Sequence, residues 1–157
     1  MQAAARVLLW LYVIVLGVSV GAGLFEARVV VPIWASSPPE TWVNTGTRFW
    51  AFITSGPLTL IILASLLVVW RFRGEARPWW LAALAVSVVE RVATFAYFIP
   101  TMVGLQARTG LTPDVVATLD TWTTLNHARH AFAILAWLLA LRALSKLSAP
   151  LRPEAAS

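Results

Sequence analysis

The chain has 157 residues, of which 59% are hydrophobic and only 12% are charged, and its mean hydropathy is +0.76. Soluble domains carry about a quarter charged residues, so this composition excludes an ordinary soluble domain and predicts an integral membrane protein. The net charge of +5 comes from basic residues that flank apolar blocks singly or in small groups, which argues against nucleic-acid binding. The chain has no cysteine, which excludes disulfides and thiolate chemistry.

Four apolar blocks are long enough to cross a bilayer as a helix, which takes about 20 residues. They cover about 7–31, 49–70, 79–99 and 125–147. The first exceeds the roughly 7–15-residue apolar core of a signal peptide. The fourth helix is predicted to begin at Pro113, because Thr112-Pro113-Asp114 supplies a capping threonine, a proline in the first turn and an acid at the positive end of the helix dipole. The predicted fold is a single all-α domain over 1–157, a bundle of four transmembrane helices.

The distribution of basic residues predicts the orientation, because cytoplasmic flanks retain Lys and Arg. The turn between helices two and three, taken together with both chain ends, holds seven basic and two acidic residues, whereas the rest of the chain holds five of each. We therefore expect both termini in the cytoplasm and a bacterial inner membrane as the location. The segments 32–47 and 100–121 are then expected to be structured outer loops that form a lid over the bundle.

The stretch 122–130 brings strongly polar side chains into the fourth helix and contains both histidines of the chain, His127 and His130. Ionisable groups inside a bilayer are costly and by default indicate a function. At a rise of about 1.5 Å per residue, Glu90, His130 and Ser55 are expected at similar depths, with Glu26 and His127 slightly further out. All four helices therefore place polar groups in one layer.

The helical periodicity turns these groups toward one pocket. On helix four, Asn126 and His130 share a face, whereas His127 lies about 100° to one side. The stripes predicted on the other helices are Ser19, Gly23 and Glu26 on helix one, Arg48, Phe52, Ser55 and Thr59 on helix two, and Ser87, Glu90, Thr94 and Tyr97 on helix three. The predicted aromatic wall comprises Trp50, Phe52, Phe95, Tyr97, Trp122 and Trp137.

A histidine beside a carboxylate is suited to general-base catalysis, and a nearby arginine or asparagine can stabilise an oxyanion. The predicted catalytic residues are therefore His130, Glu90, Asn126 and Arg129. The predicted substrate-binding residues are Glu26, Ser55, Arg91, Tyr97, Trp122 and His127.

Structural alternatives stay open for part of this set. Glu26 and Arg129 can snorkel to the interface, and Arg91 can form an ion pair with a glutamate. Asn126 can hydrogen-bond between helices as a packing device.

No cofactor is expected, with metal and haem as alternatives. Glu26, Glu90, His127 and His130 form a nitrogen and oxygen ligand set for iron or zinc. Neither glutamate has the Glu-x-x-His partner of di-iron bundles. Haem is less favoured, because both histidines lie on one helix, so that one chain offers a single axial ligand unless it forms a homo-oligomer.

Three motifs carry a family resemblance: Gly21-Ala-Gly23-Leu-Phe-Glu26 closes helix one, Arg48-Phe-Trp50 opens helix two, and Trp122-x-x-Leu-Asn126-x-x-Arg129 opens helix four. The pattern, over roughly residues 7–147, resembles a family of small four-helix membrane proteins, largely of unknown function, that includes the anthrone oxygenases. The resemblance implies cofactor-independent oxidation of an anthrone to an anthraquinone by dioxygen. It also implies that His130 is the base, that Asn126 and Arg129 hold the enolate, and that Trp122 stacks on the ring.

The prediction is a membrane oxidoreductase, oxygenase-like, that oxidises an apolar aromatic or quinone-like small molecule taken from the membrane lipids. The second hypothesis is a non-enzymatic membrane protein that binds a lipid, quinone, metal or haem in the same pocket. The third is a structural bundle in which the polar layer holds the helices together. A homo-oligomer is compatible with each of them.

Overall fold

The computed structural model describes residues 2–42 and 46–148, which are helical and contain no strand. Four helices are long and apolar enough to cross a membrane: α1 (Gln2–Ala35), α2 (Trp50–Arg71), α3 (Ala76–Gln106) and α4 (Pro113–Ser148). A short helical turn, Thr47–Phe49, precedes α2, and a 3-10 turn, Pro39–Thr41, lies between α1 and α2. The prediction of four membrane-length helices is confirmed, as is the start of the last helix at Pro113.

The helices form a bundle in which α1 packs against α2 and α4, and α3 packs against α2 and α4. We call the end that carries the 72–75 turn and the described chain ends the turn end. The other end, where α1 connects to α2 and α3 connects to α4, is the loop end.

The turn-end half of the bundle is regular α-helix around a continuous apolar core. Trp80 is fully buried, and the alanines at 83, 136, 140 and 143 are likewise 0% exposed. Small residues of this kind let membrane helices approach closely. The Tyr12 hydroxyl shares a 2.6 Å hydrogen bond with Ser87 Oγ and donates to the Ala83 carbonyl at 3.1 Å, which ties α1 to α3 at the floor of the polar layer.

The loop-end half is irregular, because α1, α2 and α3 each contain a π-helical segment just before a proline. The segments are Glu26–Val30, Trp50–Ser55 and Thr94–Phe98. In each, the residue before the proline donates its N–H five positions back: Val31 to Glu26, Gly56 to Ala51 and Ile99 to Thr94. Proline lacks an N–H and its ring clashes with the carbonyl four positions back. The wider π turn accommodates that clash, so the helix continues past the proline.

Two predictions about the helices were wrong for this reason. The first helix does not stop near Pro32 but runs to Ala35, and the third does not stop near Pro100 but runs to Gln106. The connections therefore shorten to 36–46 and 107–112.

The predicted inward face of helix two was also wrong. Thr54 is buried at 2% exposure, whereas Ser55 is half-buried and Phe52 is 74% exposed. The π segment Trp50–Ser55 changes the angular position of each residue relative to a regular α-helix. Phe95, which lies in the π segment of α3, is likewise 51% exposed and takes no part in the predicted aromatic wall.

Four aromatic residues close the loop end, and we call them the aromatic cap: Trp34, Trp42, Phe98 and Trp122. Trp34 and Trp42 stack with ring centroids 5.3 Å apart, and Phe98 meets Trp122 edge-on at 5.9 Å. Trp42 Nε1 donates to the carbonyls of Trp34 and Ser37. The polar layer thus lies between the aromatic cap and the apolar core of the turn-end half.

Candidate functional site

Four charged side chains from three helices meet below the aromatic cap, and we call them the charged quartet: Glu26 from α1, Glu90 and Arg91 from α3, and Arg129 from α4. Glu26 is 8% exposed and Glu90 is 6% exposed, while the side chains of Arg91 and Arg129 are 12% and 11% exposed. Two negative and two positive charges balance one another, which is the arrangement that a low-dielectric interior tolerates.

Glu90 is the carboxylate of the quartet that accepts hydrogen bonds on both of its oxygens. Arg91 donates to it through Nε at 2.6 Å and Nη2 at 2.8 Å, and Thr94 Oγ1 donates at 3.0 Å. Arg129 Nη1 lies 3.9 Å from Glu90 Oε1, the oxygen that also accepts from Arg91 Nη2 and Thr94. Because both oxygens of Glu90 are engaged, its evident role is to hold the two arginines in place. Arg91 Nη1 is left without a hydrogen-bond partner among the described residues.

Glu26 is the carboxylate with spare capacity. Its Oε2 lies 3.7 Å from Arg129 Nη2 and has no hydrogen-bond partner among the described residues. The side chains of Trp50 and Asn126 are its hydrogen-bonding neighbours. Glu26 is therefore charge-compensated on one side and retains an oxygen that can accept a further proton or hydrogen bond.

Arg129 lies at the centre of the site and joins its parts. Its Nε donates to Asn126 Oδ1 at 2.7 Å, and its guanidinium group lies 5.0 Å from the centroid of the Phe98 ring. Its Nη2 is 3.4 Å from His130 Nε2. Since arginine can only donate, His130 Nε2 is the acceptor in this contact. The same nitrogen thus faces both His130 and Glu26.

Two cavities adjoin the quartet. The inner cavity, with a volume of about 20 Å³, is lined by polar groups that include Glu90, Arg91, Arg129 and His130, and this volume suits about one water molecule. The side groove, of about 280 Å³, opens between α1 and the start of α2 and is bordered by Ala22, Phe25, Glu26, Trp34, Phe49 and Trp50. Trp50 borders both cavities, and Glu26 is the one ionisable group of the side groove.

The structure brings together Glu26, Glu90, Arg91, Asn126 and Arg129, with His130 beside them on the inner cavity. It does not form the predicted pair of His130 with Glu90. Among the described residues no hydrogen bond joins His130 to a carboxylate, because the arginines engage both glutamates.

Other predicted residues lie elsewhere. His127 is exposed and borders a separate open depression with Arg28 and Pro32. Trp122 is buried in the aromatic cap, where its Nε1 donates to the Phe98 carbonyl at 3.1 Å. Tyr97 is half-buried and packs edge-on against Phe98.

The alternative metal set is therefore not assembled. His127 is exposed and lines a different depression from the cavities beside the quartet, and Glu90 is engaged by Arg91. In the described part of the chain, no three His, Asp or Glu side chains converge as potential metal ligands.

Two contributors to the site were missed from the sequence. Phe98 presents its ring to the Arg129 guanidinium group, and nothing in the sequence spacing indicates that contact. Gly23 makes room for the imidazole, because an added Cβ would lie 2.8 Å from His130 Nε2. Its place on the predicted stripe with Glu26 was a usable signal for this role.

No protein-family profile matches the chain, and neither curated proteins nor solved structures show significant similarity to it. A functional assignment therefore depends on the geometry of the charged quartet and its two cavities.

Proposed function

We propose that this protein is a membrane oxidoreductase that takes an apolar aromatic or quinone-like compound from the bilayer and oxidises it with dioxygen after base-assisted removal of a proton. The observation that carries the proposal is the side groove: it is apolar and laterally open, and its wall includes one carboxylate, Glu26, whose buried Oε2 has no hydrogen-bond partner among the described residues. A planar aromatic compound dissolved in lipid fits such a groove, since its wall includes Phe25, Phe49 and Trp50.

Glu26 is the proposed base. It borders the side groove, whereas His130 borders the inner cavity behind Trp50. This assignment differs from the one that the anthrone-oxygenase resemblance implies, in which His130 is the base. Arg129, which contacts Asn126 and Glu90, lies 3.7 Å from Glu26 Oε2 on the side of the inner cavity, where it orients the Glu26 carboxylate and balances its charge.

The proposed reaction balances without a further co-reactant. Glu26 accepts a proton from a ring CH₂ group, and the carbanion passes one electron to dioxygen. The two radicals combine through a new C–O bond to give a peroxide anion, which takes the proton back from Glu26. Loss of one water from the CH–OOH group leaves a carbonyl, so that one CH₂ and one O₂ give one C=O and one H₂O.

The test is oxygen uptake by the purified protein in lipid nanodiscs, with a tricyclic anthrone as the probe and quinone absorbance as the second readout. Glu26→Gln keeps the shape but removes the base, and we expect a loss of about a hundredfold or more. Glu75→Gln is the matched control, because this exposed carboxylate lies at the turn end and contacts Lys146. It should retain wild-type uptake.

Two outcomes revise or reject the proposal. Wild-type protein that consumes no more oxygen than empty nanodiscs rejects it. If His130→Ala abolishes uptake while Glu26→Gln keeps it, the base is His130, as the resemblance implies.

The second candidate is a binding protein without catalysis. It is favoured by the saturation of Glu90 and by the small inner cavity, which leaves little room beyond the side groove. A quinone or lipid that copurifies in stoichiometric amount, without oxygen uptake, is the result expected for that function.

We also propose that the turn end faces the cytoplasm, which places the charged quartet in the outer half of the membrane. The support is the excess of basic residues at that end. Because the chain has no cysteine, single cysteines introduced at Arg73 and Thr109 report the two ends. In intact cells, we expect a membrane-impermeant thiol reagent to label the Thr109→Cys variant and not the Arg73→Cys variant. Labelling of Arg73→Cys and not of Thr109→Cys would show the opposite orientation.

A further inference from the structure

A second groove lies at the turn end, between the start of α1 and the end of α2. It has a volume of about 340 Å³, and its walls include Ala4, Ala5, Leu67 and Val68. Leu67 is 71% exposed, so the groove is open toward the lipid rather than into the bundle. We call it the turn-end groove. It shares no lining residue with the charged quartet or the side groove.

Two arginines, Arg71 and Arg73, line this groove, and both are exposed. No salt bridge joins either of them to a described acidic residue. At this end of the described chain the one acidic residue is Glu75, which contacts Lys146. The groove therefore combines an apolar wall with two exposed arginines for which no salt bridge is found within residues 2–42 and 46–148.

The position of the arginines matches the level of lipid headgroups. The apolar span of α2 ends at Arg71, and the neighbouring Trp70 is 70% exposed. Tryptophan is enriched at the boundary between hydrocarbon and water. A lipid whose acyl chain lies along Leu67 and Val68 would thus bring its phosphate to Arg71 and Arg73.

We propose that the turn-end groove binds one anionic phospholipid, whose acyl chain packs on Leu67 and Val68 and whose phosphate is held by Arg71 and Arg73. Charge complementarity selects this occupant: a zwitterionic lipid carries a cationic ammonium group that these arginines repel, whereas the headgroup of an anionic lipid such as phosphatidylglycerol carries no positive charge. Arginine is also the side chain that binds phosphate oxygens through paired N–H donors. The site is independent of the proposed oxidation.

The experiment is native mass spectrometry of the full chain released from detergent, with phosphatidylglycerol or phosphatidylcholine added at equal concentration. Wild-type protein should retain phosphatidylglycerol in preference to phosphatidylcholine. The double variant R71Q/R73Q should lower the affinity for phosphatidylglycerol about tenfold or more, since each arginine near a membrane surface contributes to anionic lipid binding. The matched control R6Q/R142Q removes two positive charges outside the groove and should keep most of the affinity.

A second variant keeps the proposal testable if R71Q/R73Q does not fold. Ala4→Glu leaves both arginines in place and adds a negative charge to the exposed groove wall, and it should weaken phosphatidylglycerol binding as well. Equal retention of the two lipids, an equal loss in R6Q/R142Q, or full displacement of the lipid by inorganic phosphate each overturns the proposal. In the last of these cases, the two arginines would bind a free anion rather than a lipid headgroup.

Discussion

The turn-end half and the loop-end half of the bundle are made from the same helices but differ in backbone regularity and in the polarity of their interior contacts. In the turn-end half, regular helices meet through alanines and a buried tryptophan, and the Tyr12 hydroxyl is hydrogen-bonded to Ser87 and to the Ala83 carbonyl. In the loop-end half, three helices contain π segments, and the contacts at their centre are between charged side chains. The apolar half is suited to holding the helices together, and the irregular half to presenting polar groups.

The irregular backbone of the loop-end half coincides with the buried charges of the bundle. Backbone irregularity is tolerated inside a membrane when neighbouring protein groups satisfy the freed polar atoms, and π segments are frequent at functional sites. Here the three segments lie at the level of the charged quartet: Glu26 begins one of them, and Trp50 begins another. The regular half supplies the rigidity that such a site needs.

The largest expected effect concerns the buried ion pair. Glu90→Ala leaves Arg91 buried without its carboxylate, and we expect the free energy of unfolding to fall by about 3–5 kcal/mol. Unfolding in mixed detergent micelles measures it. Glu75→Ala, which removes the exposed partner of Lys146 at the turn end, is the control and should lose much less. Similar losses in both variants would mean that burial adds nothing to the pair in the loop-end half.

The next effect concerns the π segment of α2. In Gly56→Ala the added Cβ would overlap the Ala51 carbonyl oxygen, which is the acceptor of the π hydrogen bond. We expect a loss of about 1–3 kcal/mol, as for other overpacked positions. Gly104→Ala is the control, because no atom lies within 4 Å of its added Cβ, and it should be at least as stable as the wild type, since alanine favours a helix more than glycine does. A fully stable Gly56→Ala protein would contradict the π geometry.

A smaller effect is expected in the turn-end half. Tyr12→Phe removes the hydroxyl that bonds to Ser87 and Ala83, and a loss of about 1 kcal/mol is typical of one buried hydrogen bond. Tyr97→Phe serves for comparison, since no hydrogen bond of the Tyr97 hydroxyl is found in 2–42 and 46–148. Thermal unfolding of the two variants in the same detergent separates them. If Tyr97→Phe loses more, the hydroxyl network is not what ties α1 to α3.

The smallest stability effect, about 1 kcal/mol or less, is expected for Gly23→Ala, because the helix propensity of alanine offsets part of the displacement. The displacement itself is local: the new methyl group would push on His130 Nε2. With only two histidines in the chain, NMR of the imidazole groups detects it directly. Gly21→Ala, on the same helix with open space around its Cβ, should leave the His130 signals unchanged.

Hydropathy was sufficient to predict the four helices, and the capping pattern at 112–114 was sufficient to place the start of α4. Depth along the helices also brought Glu26 and Glu90 to one layer, and both are buried. These features follow from length and from the local chemistry of the chain. They need no information about backbone irregularities.

The features that could not be predicted all depend on the π segments or on which charges pair. A proline that interrupts an apolar block reads as a helix end, yet Pro32 and Pro100 lie inside α1 and α3. Regular helical periodicity, continued through Trp50–Ser55, predicts that Phe52 and Ser55 face the interior, whereas the π segment buries Thr54 instead. The choice of arginine over histidine as the partner of the glutamates depends on side-chain distances that spacing does not give.

Each π turn holds one residue more than the α turn that it replaces. Deletion of one residue within 27–30, together with replacement of Pro32, would restore a regular α-helix and keep the residues beyond it, including Trp34, on the same face. The same holds for α2 and α3 at their own segments. We therefore expect evolution to change these sites in pairs, so that a relative that lacks one of the three prolines is also one residue shorter in the turn before it.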